Sequence, residues 1–344
     1  MVYLADIPQN PRTSDALRIG PVRVSNPVFL APMSGITDVP FRALAQRLGA
    51  GLVVTEMIAC RSLVCNRSEE IRRIRGHGEW PLVVQLAGRE ARWMAEGARI
   101  AADFGANIID INMGCPAKQV TRGFSGSALM RDTDHALSLI DAVVGAVNLP
   151  ITLKMRMGWD HDNLNAPALA RRAEQSGVQM ITVHGRTRNQ FFKGTADWKF
   201  IARVKEAVGI PVIVNGDLRS MKDIRTALAV SGADGVMVGR GCYGRPWLPG
   251  RAAAGLNKST GITAPSLAEK MEIALQHYEN MLEHYGCHYG LRNARKHIGW
   301  YVEDAAGSET DAKCWRARLC REEDPRKVRT HLSEFYNQHI QEAA

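Results

Sequence analysis

Between residues 28 and 238, short apolar runs alternate with longer segments whose apolar positions recur every three or four residues. The short runs, at 28–31, 52–55, 82–86, 107–111, 151–155, 180–183, 212–214 and 235–238, have the length of buried strands. The segments between them, at 39–48, 92–104, 132–147, 166–176, 200–207 and 221–230, read as amphipathic helices. Gly49, Gly105 and Gly232 follow helical patterns at positions suited to a left-handed C-cap, and Pro150 and Pro211 stop two more. Residues 17–31 read as a short hairpin leading into the first strand. Eight strand–helix units in about 230 residues predict an α/β fold of the (β/α)8 TIM-barrel type. A doubly wound sheet is the alternative, but no G-x-G-x-x-G follows the first strand.

The rhythm stops after Trp247. Residues 249–265 have the composition of a linker, and helical patterns then cover 266–284, 290–303 and 324–341. The expected organisation is a barrel over 1–248, a linker over 249–265 and a small all-helical domain over 266–344.

The 344 residues are 45% hydrophobic and 23% charged, which suits a chain with a full core. No apolar run is long enough for a membrane span, and the N-terminus lacks a signal-peptide pattern, so a cytoplasmic protein is expected; a monomer is expected as well. Seven cysteines without a C-x-x-C pair argue against a disulfide framework and against a metal site. The formal charge of +9 is compatible with a polyanionic partner. Residues 251–344 carry thirteen basic and thirteen acidic residues, so the excess lies in the first 250.

Chemistry in such a barrel belongs at the C-terminal strand ends. There stand Pro32, Met33 and Ser34 after strand one, Gln85 in strand three, and Asn112 and Cys115 after strand four. Strand five contains Lys154 and Arg156. His184, Gly185 and Arg186 follow strand six, Asn215, Gly216 and Asp217 strand seven, and Gly239 and Arg240 strand eight. The last two loops place glycine amides beside a guanidinium, which suits a phosphate; either alone would equally serve as a tight turn. Lys154 inside an apolar strand needs a partner, either Asp110 or Asp217 or an anionic ligand edge such as that of a reduced flavin. His184 is read either as a satisfied core histidine or as a cofactor neighbour. Cys115 sits on a Gly-Cys-Pro turn, where Pro116 directs the residue before it toward an extended conformation. Thiols ionise near about 8.5, so one presented there can donate a proton at neutral pH.

The segments APMSGITD, NMGCPAK, TLKMRMGW, TVHGRTR, VNGD and VGRG, with the strand carrying Gln85, together resemble the tRNA-dihydrouridine synthase family, nearest its bacterial B-type branch. The resemblance runs from about Arg18 to Tyr301. A flavin barrel of the dihydroorotate dehydrogenase type shares the architecture, but the linked NMGCPAK and HGRTR segments and the helical tail are not expected there. The resemblance implies bound FMN, with Pro32, Met33 and Ser34 along the ring and Gln85 and Lys154 at its polar edge. It brings His184 to the cofactor and Asn215, Gly216, Asp217, Gly239 and Arg240 to the phosphate end. It implies NADPH as reductant, hydride transfer to C6 of a uridine in the tRNA D-loop, and Cys115 as the acid protonating C5. For the RNA it suggests Arg292, Arg295, Lys296 and His297 in the tail; Arg186, Arg188 and Lys193, just after strand six, are further candidates at the rim by position. Arg61, Arg67, Arg72, Arg73 and Arg75 are further candidates, although most charge clusters are simply solvated. Two other readings remain: a flavin reductase of small pyrimidines whose tail serves oligomerisation, and a non-enzymatic RNA-folding role.

Overall fold

The computed structural model describes residues 17–65, 68–74, 78, 80–256 and 264–343. A hairpin comes first, β1 (Arg18–Ile19) and β2 (Val22–Arg23). The barrel begins with β3 (Val28–Leu30), α1 (Val39–Arg47), β4 (Leu52–Val53), β5 (Ile58–Ala59), α2 (Cys60–Val64) and α3 (Ser68–Ile74). It continues with β6 (Val83–Ala87), α4 (Ala91–Asp103), β7 (Ile108–Met113), the single turn α5 (Lys118–Thr121) and α6 (Thr133–Val144). The remaining units are β8 (Ile151–Arg156), α7 (Ala166–Gln175), β9 (Val178–His184), α8 (Trp198–Lys205), β10 (Val212–Asn215), α9 (Met221–Ser231) and β11 (Gly235–Val238). Five more helices complete the chain: α10 (Leu248–Leu256), α11 (Leu267–Tyr285), α12 (Cys287–Ala305), α13 (Glu309–Arg321) and α14 (Pro325–Glu342).

The main sheet is parallel and runs β4-β3-β11-β10-β9-β8-β7-β6-β5, and a parallel bridge between Val54 and Val83 joins its two ends. β4 and β5 are therefore two halves of one barrel strand. The interruption at 55–57 turns the Thr55 hydroxyl oxygen to accept the Gln85 backbone N–H at 3.0 Å and brings Met57 to the open end. The hairpin closes the opposite end. Ile19 and Val24 pack with Phe29, Leu52, Val83, Ile108, Met180 and Ile213, residues at or near the strand starts. The other mouth stays open.

Local chemistry explains the helix starts. The carboxylates of Asp38, Asp132 and Asp197 accept from the backbone N–H groups of Phe41, His135 and Phe200, capping α1, α6 and α8. Ser266 and Glu269 form a reciprocal capping box at α11. Gly232 ends α9 at φ +62°, the left-handed cap its position predicts.

Two expectations need correction. The linker expected over 249–265 is helical as far as Leu256, and residues 257–263 lie outside the described part. Pro249 and Gly250 look like breakers but serve otherwise: Pro249 stands in the first turn, where its missing N–H is harmless. Gly250 lets α10 press on the end of α1, since a Cβ there would come 1.9 Å from the Leu48 carbonyl oxygen. α13 was hidden by its charged composition, because only Ala312 and Leu319 are buried on it.

The tail helices share a second core around Tyr278, Met281, Val302, Leu332 and Phe335, into which Trp247 of the barrel also packs. Three further contacts join tail to barrel. The Tyr285 hydroxyl donates to Asp38 Oδ2 at 2.9 Å, Tyr243 stacks on Trp300 with centroids 4.0 Å apart, and Phe41 meets the rings of His277 and His297. Gly250→Ala is expected to force α10 off α1 and cost about 1–3 kcal/mol; a thermal midpoint equal to that of the parent chain would contradict this packing.

Candidate active site

The parallel register stacks polar residues in three rows at the C-terminal end of the barrel. Gln85 pairs with Asp110 and Asp110 with Thr152; Asn112 pairs with Lys154 and Lys154 with Thr182; Arg156 pairs with His184 and His184 with Asn215. Alternation along β7 and β8 then points Asp110 and Asn112, and Thr152, Lys154 and Arg156, to one side. The result is a cavity of about 420 Å³. Cys115 and every residue expected to hold the cofactor, from Pro32 to Arg240, line it.

A chain of hydrogen bonds runs through the lowest row. Thr152 Oγ1 donates to Asp110 Oδ1 at 2.6 Å, and Gln85 Nε2 to Asp110 Oδ2 at 2.7 Å. Asn112 Nδ2 donates to Gln85 Oε1 at 2.7 Å, and Asn112 Oδ1 accepts the N–H groups of Gly114 and Cys115 at 3.1 and 3.0 Å. The turn carrying the thiol is thereby tied to the barrel floor. Burial raises the Asp110 carboxyl to about 6, against the opposing bonds from Gln85 and Thr152.

Arg156 holds the same turn from the other side. Its Nε donates to Gly114 O at 2.8 Å, and Nη1 to Thr187 O and Phe191 O at 2.8 and 2.9 Å. Burial lowers it to about 10, so it remains a cation. Lys154 donates to Asn215 Oδ1 at 3.2 Å, and among the described residues no carboxylate lies within ion-pair distance of it. Neither Asp110 nor Asp217 forms an ion pair with it, although Asp110 attracts it from farther away. Burial, then Arg156, push the lysine down to about 8. His184 is held well below its ordinary value by burial and then by Arg156 and Lys154, so its ring is neutral.

Asp217 stands at φ +54°, a left-handed backbone, after Gly216 at φ +117°. Gly216 packs close to His184 and Ala196, where a Cβ would come within 2.8 Å of each side chain. Burial pushes the Asp217 carboxyl up, but hydrogen bonds from Arg186 and the Ala196 N–H outweigh it and hold the group low. Arg186 reaches both carboxylate oxygens, at 3.0 and 2.6 Å. Arg186 was expected to meet RNA at the rim; its side chain is 2% exposed and committed to this pair, so it holds Asp217, which lines the cavity, instead. Arg240, at 3.5 Å from Asp217, keeps an exposed edge toward the cavity.

The tail candidates divide. Arg292 is exposed, Lys296 lies against Gly35 at the seam between barrel and tail, and Arg295 turns toward Glu322 O. His297 is 2% exposed among Phe41, His277 and Trp300, so the expected RNA contact is corrected to a core role. Its spacing from Arg292 and Lys296 gave no hint of the barrel helix covering it. Arg67 and Arg75 fall outside the described residues. Arg156 stood out in strand five but had no role assigned; Phe192 and Tyr243, which also line the cavity, were missed. Only Arg156 carried a signal, two residues beyond Lys154 in the same strand and so on the same face.

A closed parallel barrel with a cation-rich mouth, glycine-lined loops and a thiol on a turn defines a cofactor-type enzyme barrel with an appended helical tail. The model of the dihydrouridine synthase family matches residues 29–344, and the chain belongs to that family. It is 54% identical over 309 residues to a probable tRNA-dihydrouridine synthase of Rhizobium leguminosarum bv. phaseoli, covering 90% of this chain and 95% of the relative. It is 45% identical to tRNA-dihydrouridine synthase B of Pseudomonas syringae pv. tomato over 326 residues, 94% of this chain and 95% of the relative. Among solved structures, a morphinone reductase variant in complex with tetrahydroNAD is similar in fold, with a TM-score of 0.53 at 15% identity over 76% of this chain and 94% of that one.

The fold disfavours the charge on Lys154. Its pKa falls from 10.5 to about 8, so in that window the unfolded chain binds the proton and the folded one does not, and stability rises with pH. At pH 7 the cofactor-free Lys154→Met chain is therefore expected to melt above the parent, with the gap closing as pH passes through the window. Melts of stripped protein across pH check this; a lower midpoint for the variant at pH 7 would mean the ammonium is already compensated.

Proposed function

We propose that this chain is a tRNA-dihydrouridine synthase that holds FMN across the barrel mouth and takes its reducing equivalents from NADPH. The observation that carries the cofactor assignment is the ammonium of Lys154, which lines the cavity beside Arg156 with no carboxylate within ion-pair distance among the described residues. A cation left there without a counter-charge costs free energy, and an anionic ring edge and phosphate supply one. The residues present fit that group. Lys154 and the second Nε2 hydrogen of Gln85 would meet its polar edge, the backbone of Pro32, Met33 and Ser34 would run along the ring, and Gly216, Gly239 and Arg240 would take the phosphate. Bound FMN would supply hydride for C6 of a uracil.

The remaining work falls to the chain. Asn112 and Arg156 hold the Gly114–Cys115 turn from two sides, so the thiol is presented to the cavity in a fixed direction. From there Cys115 gives its proton to C5 of the base. The neutral His184 ring adds no competing acid. A base in folded RNA must leave its stack to reach this depth, and the exposed Arg292 with Lys296 at the seam would grip the backbone near the opening.

Nucleoside mass spectrometry of unmodified tRNA, incubated with the purified protein and NADPH, is expected to show a uridine gaining two hydrogens. No gain, with flavin bound and NADPH still oxidised, would favour a reductase of small pyrimidines. Cys115→Ala is expected to retain flavin and tRNA while product formation falls by roughly 10²–10⁴-fold, the range for losing a general acid. Unchanged turnover would remove the acid assignment.

A further inference from the structure

Beside the cavity lies a rim that the reading above does not use. The segment after Cys115 folds back onto it: Ser127 gives both its N–H and its hydroxyl to the Cys115 carbonyl, at 3.0 and 2.8 Å. Gly126 packs so closely that a Cβ there would stand 3.3 Å from the Cys115 Cβ. Two residues earlier, on this pinned loop, Phe124 is 64% exposed. On the neighbouring loop after β9, Phe192 is 50% exposed, lines the cavity and meets Phe191 edge-on. Arg188 joins the two loops, donating to Thr121 Oγ1 at 3.4 Å while lying over the Trp159 and Phe191 rings.

Three features make this more than a pair of stray apolar side chains. Among the described residues, the non-glycine positions with positive φ are Phe124, Phe191 and Asp217, and all three stand on loops at this mouth. Backbone held in that region costs free energy and persists where function demands the geometry. The side chains of Lys118, Arg122 and Lys193, near the two rings in sequence, are exposed with no carboxylate within ion-pair distance among the described residues, and the Arg240 guanidinium lies 4.9 Å from the Phe192 centroid. Finally, the rim is continuous with the thiol's own loop. Exposed aromatic faces in a cationic setting are what unpaired nucleobases stack on.

We propose that Phe124 and Phe192, with the cations around them, form a stacking rim for the unpaired bases on either side of the extruded uridine. The partner of this surface is thus a locally single-stranded stretch of RNA. The rim holds the opened strand apart while the uridine occupies the cavity, and it rests on the reading of the chain as an RNA-modifying enzyme. Phe124 makes no contact with the cavity, so it is a positioning residue.

The test uses the FMN-loaded full chain and folded, unmodified tRNA. Phe124→Ala is expected to raise the KM for tRNA by roughly 5- to 150-fold, the range for losing one stacking aromatic. Flavin content and NADPH oxidation without RNA should stay at parental levels. Phe124→Leu, apolar but without a π-face, should be impaired similarly, and Phe124→Tyr should restore the parental KM. A 2-aminopurine placed beside the target uridine should be quenched by the parent and the tyrosine variant but not by the alanine variant. A leucine variant equal to the parent, or an alanine variant with parental KM, would overturn the rim. So would an altered oligomeric state with unchanged KM, which would mark a protein–protein surface. Parental enzyme that forms no dihydrouridine at all would instead remove the functional reading beneath it.

Discussion

The hydrogen-bonded row Thr152–Asp110–Gln85–Asn112 is the constraint on which the rest of the site depends. Each bond joins side chains on neighbouring barrel strands, so the row exists only in one parallel register. A one-residue slip would turn every member to the outer face. Because Asp110 accepts from both Thr152 and Gln85, the Gln85 amide has a single orientation, with its oxygen toward Asn112. That in turn aims the Asn112 carbonyl at the N–H groups of Gly114 and Cys115. Position of the thiol is thus set from the barrel floor upward, through groups that are themselves buried.

Charge completes the arrangement. Lys154, Arg156, Arg186 and Arg240 converge on one mouth, where Asp217 is held by Arg186. The barrel pays for this concentration of cations in desolvation, which is visible in the lowered pKa values of Lys154 and Arg156. Both are stabilised when an anion fills the space. Arg156 has the further task of joining the thiol's turn to the loop after β9, so electrostatics and positioning share one side chain.

The tail is part of the site's support as well as an appendage. Tyr285 bonds Asp38, which caps α1 and ends the loop whose other face lines the cavity. His277 and His297 pack on Phe41 of the same helix, both held neutral by burial. The loop after β11 docks through Tyr243 on Trp300 and through Gly244, where a Cβ would meet the Trp300 carbonyl at 2.3 Å. The tail is therefore mechanically coupled to the loops that line the cavity.

Strand and helix periodicity, cap residues and the glycine-rich strand ends were legible in the amino-acid order, because each depends on neighbours a few residues away. They determined the barrel, the mouth that bears chemistry, and the residues around it, including Cys115 and Lys154. Contacts between distant segments were not legible. Nothing near Arg186 announces Asp217, thirty-one positions on, as its buried partner, and the basic spacing around His297 hid that α1 covers it. Pro249 and Gly250 read as a linker because the close approach of Leu48 that makes the glycine useful comes from two hundred residues earlier. Exposed Phe124 and Phe192 have no periodic signature at all. Local order determined what each segment is; only closure of the barrel and docking of the tail decided which charges are paired, which are buried and which face the opening.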